Sequence, residues 1–146
     1  MRIAFANDHR GFLLRNQIIA RLKKRGHEVI DFGSNSEAAV DYPDYASKAC
    51  RAVVTRTADR AVLVCGTGIG MSIAANKIPG IRCAVCTDEF GAEMARTHND
   101  ANVLALRSTH QNPQTNLAIV DIFLDRDFAA GRHQIRVNKI RNLERF

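Results

Sequence analysis

The segment C-G-T-G-I-G, residues 65–70, places one thiol and three glycines in six positions. It follows the apolar run A-V-L-V-C at 61–65 and precedes a helical pattern that starts at Met71. Glycines at this density let the backbone take positive φ and approach a ligand closely. Successive N–H groups in such a turn, at the amino end of a helix, attract an anion. A thiol beside those dipoles sits where the thiolate is favoured, and a thiolate is a general base as well as a nucleophile. A buried apolar cysteine at a strand end is the competing reading. Two nucleotide-binding readings fit badly. The dinucleotide fingerprint needs its third glycine at position 71, where this chain has Met71, and the G-K-[ST] that closes an NTPase phosphate loop is missing.

Other chemically capable residues fall at the ends of predicted elements. Asp8 and His9 close the first apolar run, and His98 and Asn99 close a helical one. In an open α/β sheet, ligands bind outside the carboxyl ends of the strands, so this distribution predicts a site there. Arg132 and Arg136 are four residues apart. They share a helical face if the helix already includes Arg132. Two guanidiniums on one face suit a phosphate. The remaining cysteines read as structural. Cys83 and Cys86 are three apart on a predicted strand, hence on opposite faces, and Cys50 lies among Ala and Val. His27 and His110 have no motif around them, and Asp41 reads as the N-cap of a helix opened by Pro43.

The elements that must position these groups alternate. Residues 2–6, 28–32, 61–65, 83–87 and 103–106 read as strands. Helical patterns fill 12–25, 43–55, 71–78, 89–97 and 114–124, and a basic helix from about residue 133 ends the chain. Leu14, Ile18 and Leu22 recur every four residues, as on an amphipathic helix stopped by Gly26. The continuously apolar run at 61–65 fits a strand buried on both faces. This order predicts an α/β protein, a three-layer α/β/α sandwich around a five-stranded parallel, Rossmann-like sheet, with a C-terminal helix.

Composition agrees with one domain spanning 1–146. The chain is 46% hydrophobic and 25% charged. A chain of this size buries roughly 68–70% of its unfolded surface, so it needs neither disulfides nor a structural metal. No apolar run approaches the roughly 20 residues that span a bilayer, and the N-terminus reaches Asp8 too early for a secretory core. A cytoplasmic protein with reduced thiols and no membrane partner is expected. The formal charge of +6 concentrates near the C-terminus at Arg132, Arg136, Lys139, Arg141 and Arg145. A solvated basic helix and an anion site both fit. Nucleic acid is disfavoured, because there is no Trp, only two Tyr, and no aromatic platform within the basic run.

Seven motifs in order then carry a resemblance: D8-H9-x-G11, D41-Y42-P43-D44-Y45-A46, the run from Cys65 to Gly70, A74-A75-N76-K77, G80-I81-R82, H98-N99-D100-A101-N102-V103 and G131-R132-H133-Q134-x-R136-V137. Together they resemble the type B ribose-5-phosphate isomerases, a family that includes allose- and galactose-6-phosphate isomerases. The resemblance covers essentially the whole chain. It implies proton transfer through a cis-enediolate, with no metal and no cofactor, converting ribose 5-phosphate to ribulose 5-phosphate; the alternatives are a six-carbon sugar phosphate such as allose 6-phosphate, or a non-catalytic phosphosugar-binding relative. It implies that Cys65 is the base and that N–H groups of Gly66, Gly68, Ile69 and Gly70 hold the enediolate oxygens. Thr67 would orient the sugar oxygens, Asp8 and His98 would assist ring opening, and Asn99 would bind near the same oxygens. His9, Arg132 and Arg136 would bind the phosphate, and His133 adjoins that pair. It also implies a homodimer with shared active sites, His98 and Asn99 reaching into the partner's site, with a tetramer left open. One place departs. The family usually has glycine at the position of Arg107 and a phosphate-binding arginine at that of Thr109, and a small or apolar residue at that of Arg10. Arg10 or Arg107 is expected to replace the lost charge, or the substrate differs.

Overall fold

All five apolar runs become strands of one parallel sheet in the computed structural model, which describes residues 1–145; Phe146, the last residue of the expected domain, lies outside them. The elements run β1 (Arg2–Asn7), α1 (Phe12–Lys24), β2 (Glu28–Asp31), α2 (Tyr42–Val54), β3 (Arg60–Cys65), α3 (Ile69–Ala75), β4 (Cys83–Val85), α4 (Glu89–Thr97), β5 (Val103–Arg107), α5 (Pro113–Asp125) and α6 (Arg132–Asn142). A short 3-10 turn, Leu143–Arg145, follows. The strand order is β2-β1-β3-β5-β4. The chain moves outward from β1 to one edge and then crosses to build the other, so the switch point lies between β1 and β3.

Side-chain alternation along the central strands builds two cores. Ile3, Phe5, Val62, Val64, Leu104 and Leu106 face one side and meet apolar stripes of α1, α4 and α5. The alternate positions, Ala4, Ala6, Ala61, Leu63 and Ala105, face α2 and α3. The second layer is richer in alanine, and small side chains on both partners let those helices lie close to the sheet. Cys65 belongs to this layer, buried, at the carboxyl end of β3.

Several boundaries move for identifiable reasons. α3 starts at Ile69, before Met71, because Gly68 at φ 77° turns the chain and the Ser72 N–H already reaches the Gly68 carbonyl at 3.1 Å. It stops at Ala75, where the Asn76 amide pairs with the backbone of Cys83, accepting at 2.8 Å and donating at 3.0 Å. β4 ends at Val85 because Asp88, accepting from the Gly91 N–H at 2.6 Å, caps α4 directly after it. Asp41 holds the N-cap position of α2, yet its side chain makes no capping bond. α6 includes Arg132 as its first residue, so Arg132 and Arg136 do share a helical face.

Candidate active site

β1 and β3 run side by side, and Asn7 is in register with Val64. The next residue on each strand is therefore also a neighbour pair: Asp8 beside Cys65. The Asp8 N–H donates to the Val64 carbonyl at 3.2 Å and fixes this junction. Beyond it opens a small pocket lined by Asp8, His9 and Arg10 from the β1 end and by Cys65, Gly66 and Thr67 from the β3 end. Asp8 is buried, and its Oδ1 accepts from the Gly11 N–H at 2.9 Å. His9 Nδ1 accepts from the Val40 N–H at 3.3 Å, so Nε2 carries the ring proton and is a donor.

The glycine loop is held from both sides. The carbonyl of Cys65 accepts from the Ser108 N–H at 2.9 Å, and that of Gly66 from the Thr109 N–H at 3.1 Å and from the Thr109 hydroxyl. The Gly68 N–H points at Cys65 Sγ, 3.2 Å away, and the Ile69 N–H donates to Thr67 Oγ1 at 3.2 Å. Two of the N–H groups expected to face an oxyanion are thus used within the loop. Among the described residues, nothing accepts from the N–H groups of Gly66, Thr67 and Gly70. Those three are the loop's open donors.

Sequence reasoning missed Tyr42. It lines the same pocket, and its ring lies across Gly70: a Cβ at position 70 would be 2.7 Å from the ring Cζ. The run D-Y-P-D-Y-A held the signal, since it places an aromatic at the first turn of the helix that packs on α3. Thr109 was also unforeseen as the residue that pins the loop from β5. Arg107 is in register with Cys65 but does not line the pocket, and its Nε donates to the Thr109 carbonyl at 2.9 Å.

The expectation that His98 and Asn99 sit at the carboxyl ends of the strands needs correction. α4 leaves the carboxyl end of β4 and runs back, so its C-terminus lies at the amino ends. The Asn102 carbonyl accepts from the N–H of Ala61, near the start of β3, at 3.1 Å. Arg82, which precedes β4, donates through Nε to the carbonyls of Asn99 and Asp100 at 3.2 and 2.9 Å. Cys65 lies about 13 Å further along β3 from Ala61. α6 joins the amino-end group. The His98 and His133 rings stack, with centroids 4.1 Å apart and planes at 12°. Desolvation, then His98, Arg132 and Arg136, push the His133 imidazole below its ordinary value. Asp100 ties this group together through Arg82 at 2.8 Å, Arg96 at 3.1 Å and Arg141 at 3.6 Å.

The other thiols are poor reagents. Burial pushes Cys50 up to about 12, Cys86 to about 11 and Cys83 upward as well. Cys83 packs on the α2/α3 side and Cys86 in the opposite core, so they do not form a pair. Among the described residues no cluster of three His, Cys, Asp or Glu could hold a metal ion, and no helix is long and apolar enough to cross a membrane.

A thiol and open N–H donors meet at the switch point of a doubly wound α/β sheet, the place where such sheets bind small ligands. Comparison with known proteins narrows that class. The sequence profile of the Ribose/Galactose Isomerase family matches residues 3–140. Ribose-5-phosphate isomerase B of Escherichia coli (strain K12) is 47% identical over 143 residues, which cover 98% of this chain and 96% of that protein. The structure of Clostridium thermocellum ribose-5-phosphate isomerase B superposes with a TM-score of 0.98 at 50% identity, covering 99% of this chain and 98% of that one. The Mycoplasma genitalium ribose-5-phosphate isomerase B, solved with bound ribulose-5-phosphate, superposes with a TM-score of 0.95 at 40% identity, covering 99% and 96%. The chain belongs to the ribose/galactose isomerase family, the family of the type B ribose-5-phosphate isomerases. It is an aldose–ketose isomerase acting on a sugar phosphate.

Proposed function

We propose that this single-domain enzyme interconverts ribose 5-phosphate and ribulose 5-phosphate through a cis-enediolate, with no metal or cofactor taking part. The observation that carries the reading is Cys65 Sγ, set beside Asp8 at the switch point and under the Gly68 N–H. As a thiolate, Cys65 takes the proton from C2 of the open-chain aldose and returns it to C1. Charge develops on the substrate oxygens during that transfer. The open N–H groups of Gly66, Thr67 and Gly70 are the donors that meet it. Thr67 orients the sugar oxygens, and Asp8 assists ring opening with the carboxylate oxygen that Gly11 leaves unused. Ribose is favoured over a six-carbon sugar because the named relatives act on ribose 5-phosphate. A reactive thiol with three further free cysteines suits the reducing cytoplasm.

The working unit is a homodimer with shared sites. One chain supplies the Cys65 pocket at the carboxyl ends of its strands, and the other supplies His98 and Asn99 near the sugar oxygens. That second chain also brings Arg132, Arg136 and His133 to the phosphate, opposite His9. A two-fold axis puts different parts of one chain side by side in this way. Exposed apolar side chains that such an interface could cover include Ile69 and Ile73 on α3, Val85 on β4, Phe90 on α4 and Ile135 on α6.

The test is product formation. Purified protein in EDTA is given ribose 5-phosphate, or allose 6-phosphate, and followed by NMR in deuterated solvent. Ribulose 5-phosphate should form, with deuterium entering at the sugar C2 in the reverse direction. Cys65→Ala should lower kcat by about 10²–10⁴-fold, the usual worth of a positioned base. Turnover of allose 6-phosphate alone would make the enzyme a six-carbon isomerase. Binding without turnover would mark a non-catalytic relative.

A further inference from the structure

We propose that Arg10 is the phosphate-binding residue of the Cys65 pocket itself and sets its preference for phosphorylated over free sugars. The inference rests on the isomerase reading and adds to it a ligand from the chain that also carries the base. Arg10 lines the pocket beside His9 and Cys65. Its backbone is fixed, because its carbonyl accepts from Ser108 Oγ at 2.9 Å and the next N–H, of Gly11, is held by Asp8. Its stem crosses Gly66 closely enough that a Cβ there would lie 2.9 Å from Arg10 Cδ. The missing side chain at position 66 is what lets the arginine lie over the loop.

The guanidinium at the end of that stem has no partner among residues 1–145. Among the described residues it enters no hydrogen bond and no ion pair, whereas Arg15, Arg21, Arg25, Arg82 and Arg96 all meet carboxylates. The pocket's one carboxylate, Asp8, is turned to the Gly11 N–H. An unpaired guanidinium offers a planar fork of donors that matches a phosphoryl group. His9 stands next to it in the pocket, with Nε2 as a second donor. Arg107, the other arginine near the loop, spends its Nε on the Thr109 carbonyl and stays outside the pocket.

The experiment compares the full-length parent, Arg10→Ala, Arg10→Lys and Arg107→Ala. Inorganic phosphate binding is measured by calorimetry, and KM and kcat are measured with ribose 5-phosphate. Arg10→Ala should weaken phosphate binding and raise KM in parallel, each by about 10- to 100-fold, with kcat changed by less than about threefold. Arg10→Lys should recover part of the loss, and inhibition by unphosphorylated ribose should not move. Phosphate affinity unchanged in Arg10→Ala, or a loss confined to Arg107→Ala, overturns the assignment. If the parent binds phosphate through Arg10 but isomerises no sugar phosphate, the isomerase reading fails and the Arg10 assignment stands. If turnover is normal and Arg10→Ala leaves KM unchanged, the reverse holds.

Discussion

At position 70 the absence of a side chain is a packing requirement. The nearest atoms to an added Cβ belong to the Tyr42 ring, at 2.7 to 3.1 Å. That ring sits at the first turn of α2 and cannot yield as a flexible chain end would. Gly70→Ala should therefore push the ring out of the pocket. Overpacking of this kind costs about 1–3 kcal/mol, which thermal unfolding would register, and kcat should fall with it. Tyr42→Phe keeps the ring and should keep the stability, which separates packing from the hydroxyl. The contrast with Cys65 shows what could be read in advance. The thiol and its glycines are adjacent in sequence, so their chemistry was visible in six letters. The contact between Tyr42 and Gly70 joins distant segments, and no local pattern reports it.

At the scale of elements, strands and helices were legible because apolar runs and four-residue spacings record burial. The sheet's parallel sense followed from the strand–helix alternation. What did not follow was the end of the sheet at which a given helix terminus lies. His98 and Asn99 close α4 and looked like further carboxyl-end residues, yet a helix between parallel strands runs back, so its last turn faces the amino ends. The turn after α4 is then built from charge. Asp100, at φ 48°, meets Arg82, Arg96 and Arg141, the first two nearly buried, and so links β4, α4 and α6 around the His98–His133 stack. Asp100→Asn keeps a residue that tolerates this conformation and removes the charge. It should lower stability by about 1.5–3 kcal/mol in urea unfolding, the range for hydrogen bonds to charged groups. It should also lower kcat, because His98 and Asn99 lose their mooring. Unchanged unfolding would show that the three arginines are held without it.

At the scale of the whole molecule, the candidate residues fall into two separate groups. Cys65, Asp8 and His9 lie at one end of the sheet; His98, Arg132 and Arg136 lie with the other. The resemblance implies shared sites, and the proposed homodimer would bring the two groups together. A shared site makes a prediction that a self-contained site does not. Take two variants, Cys65→Ala and His98→Ala, each impaired as a homodimer because both of its sites lack one group. In a mixed dimer, one site receives Cys65 from the His98→Ala chain and His98 from the Cys65→Ala chain, so it is whole. The other site lacks both. Random pairing makes half of all dimers mixed, each with one intact site of two, so co-refolding equal amounts should restore about a quarter of the parent activity. If each site were built within one chain, every chain in the mixture would remain defective, and activity would stay at the mean of the two variants. Adding Phe90→Glu to both chains, a charge in place of an exposed apolar ring, should abolish the recovery by keeping the chains apart.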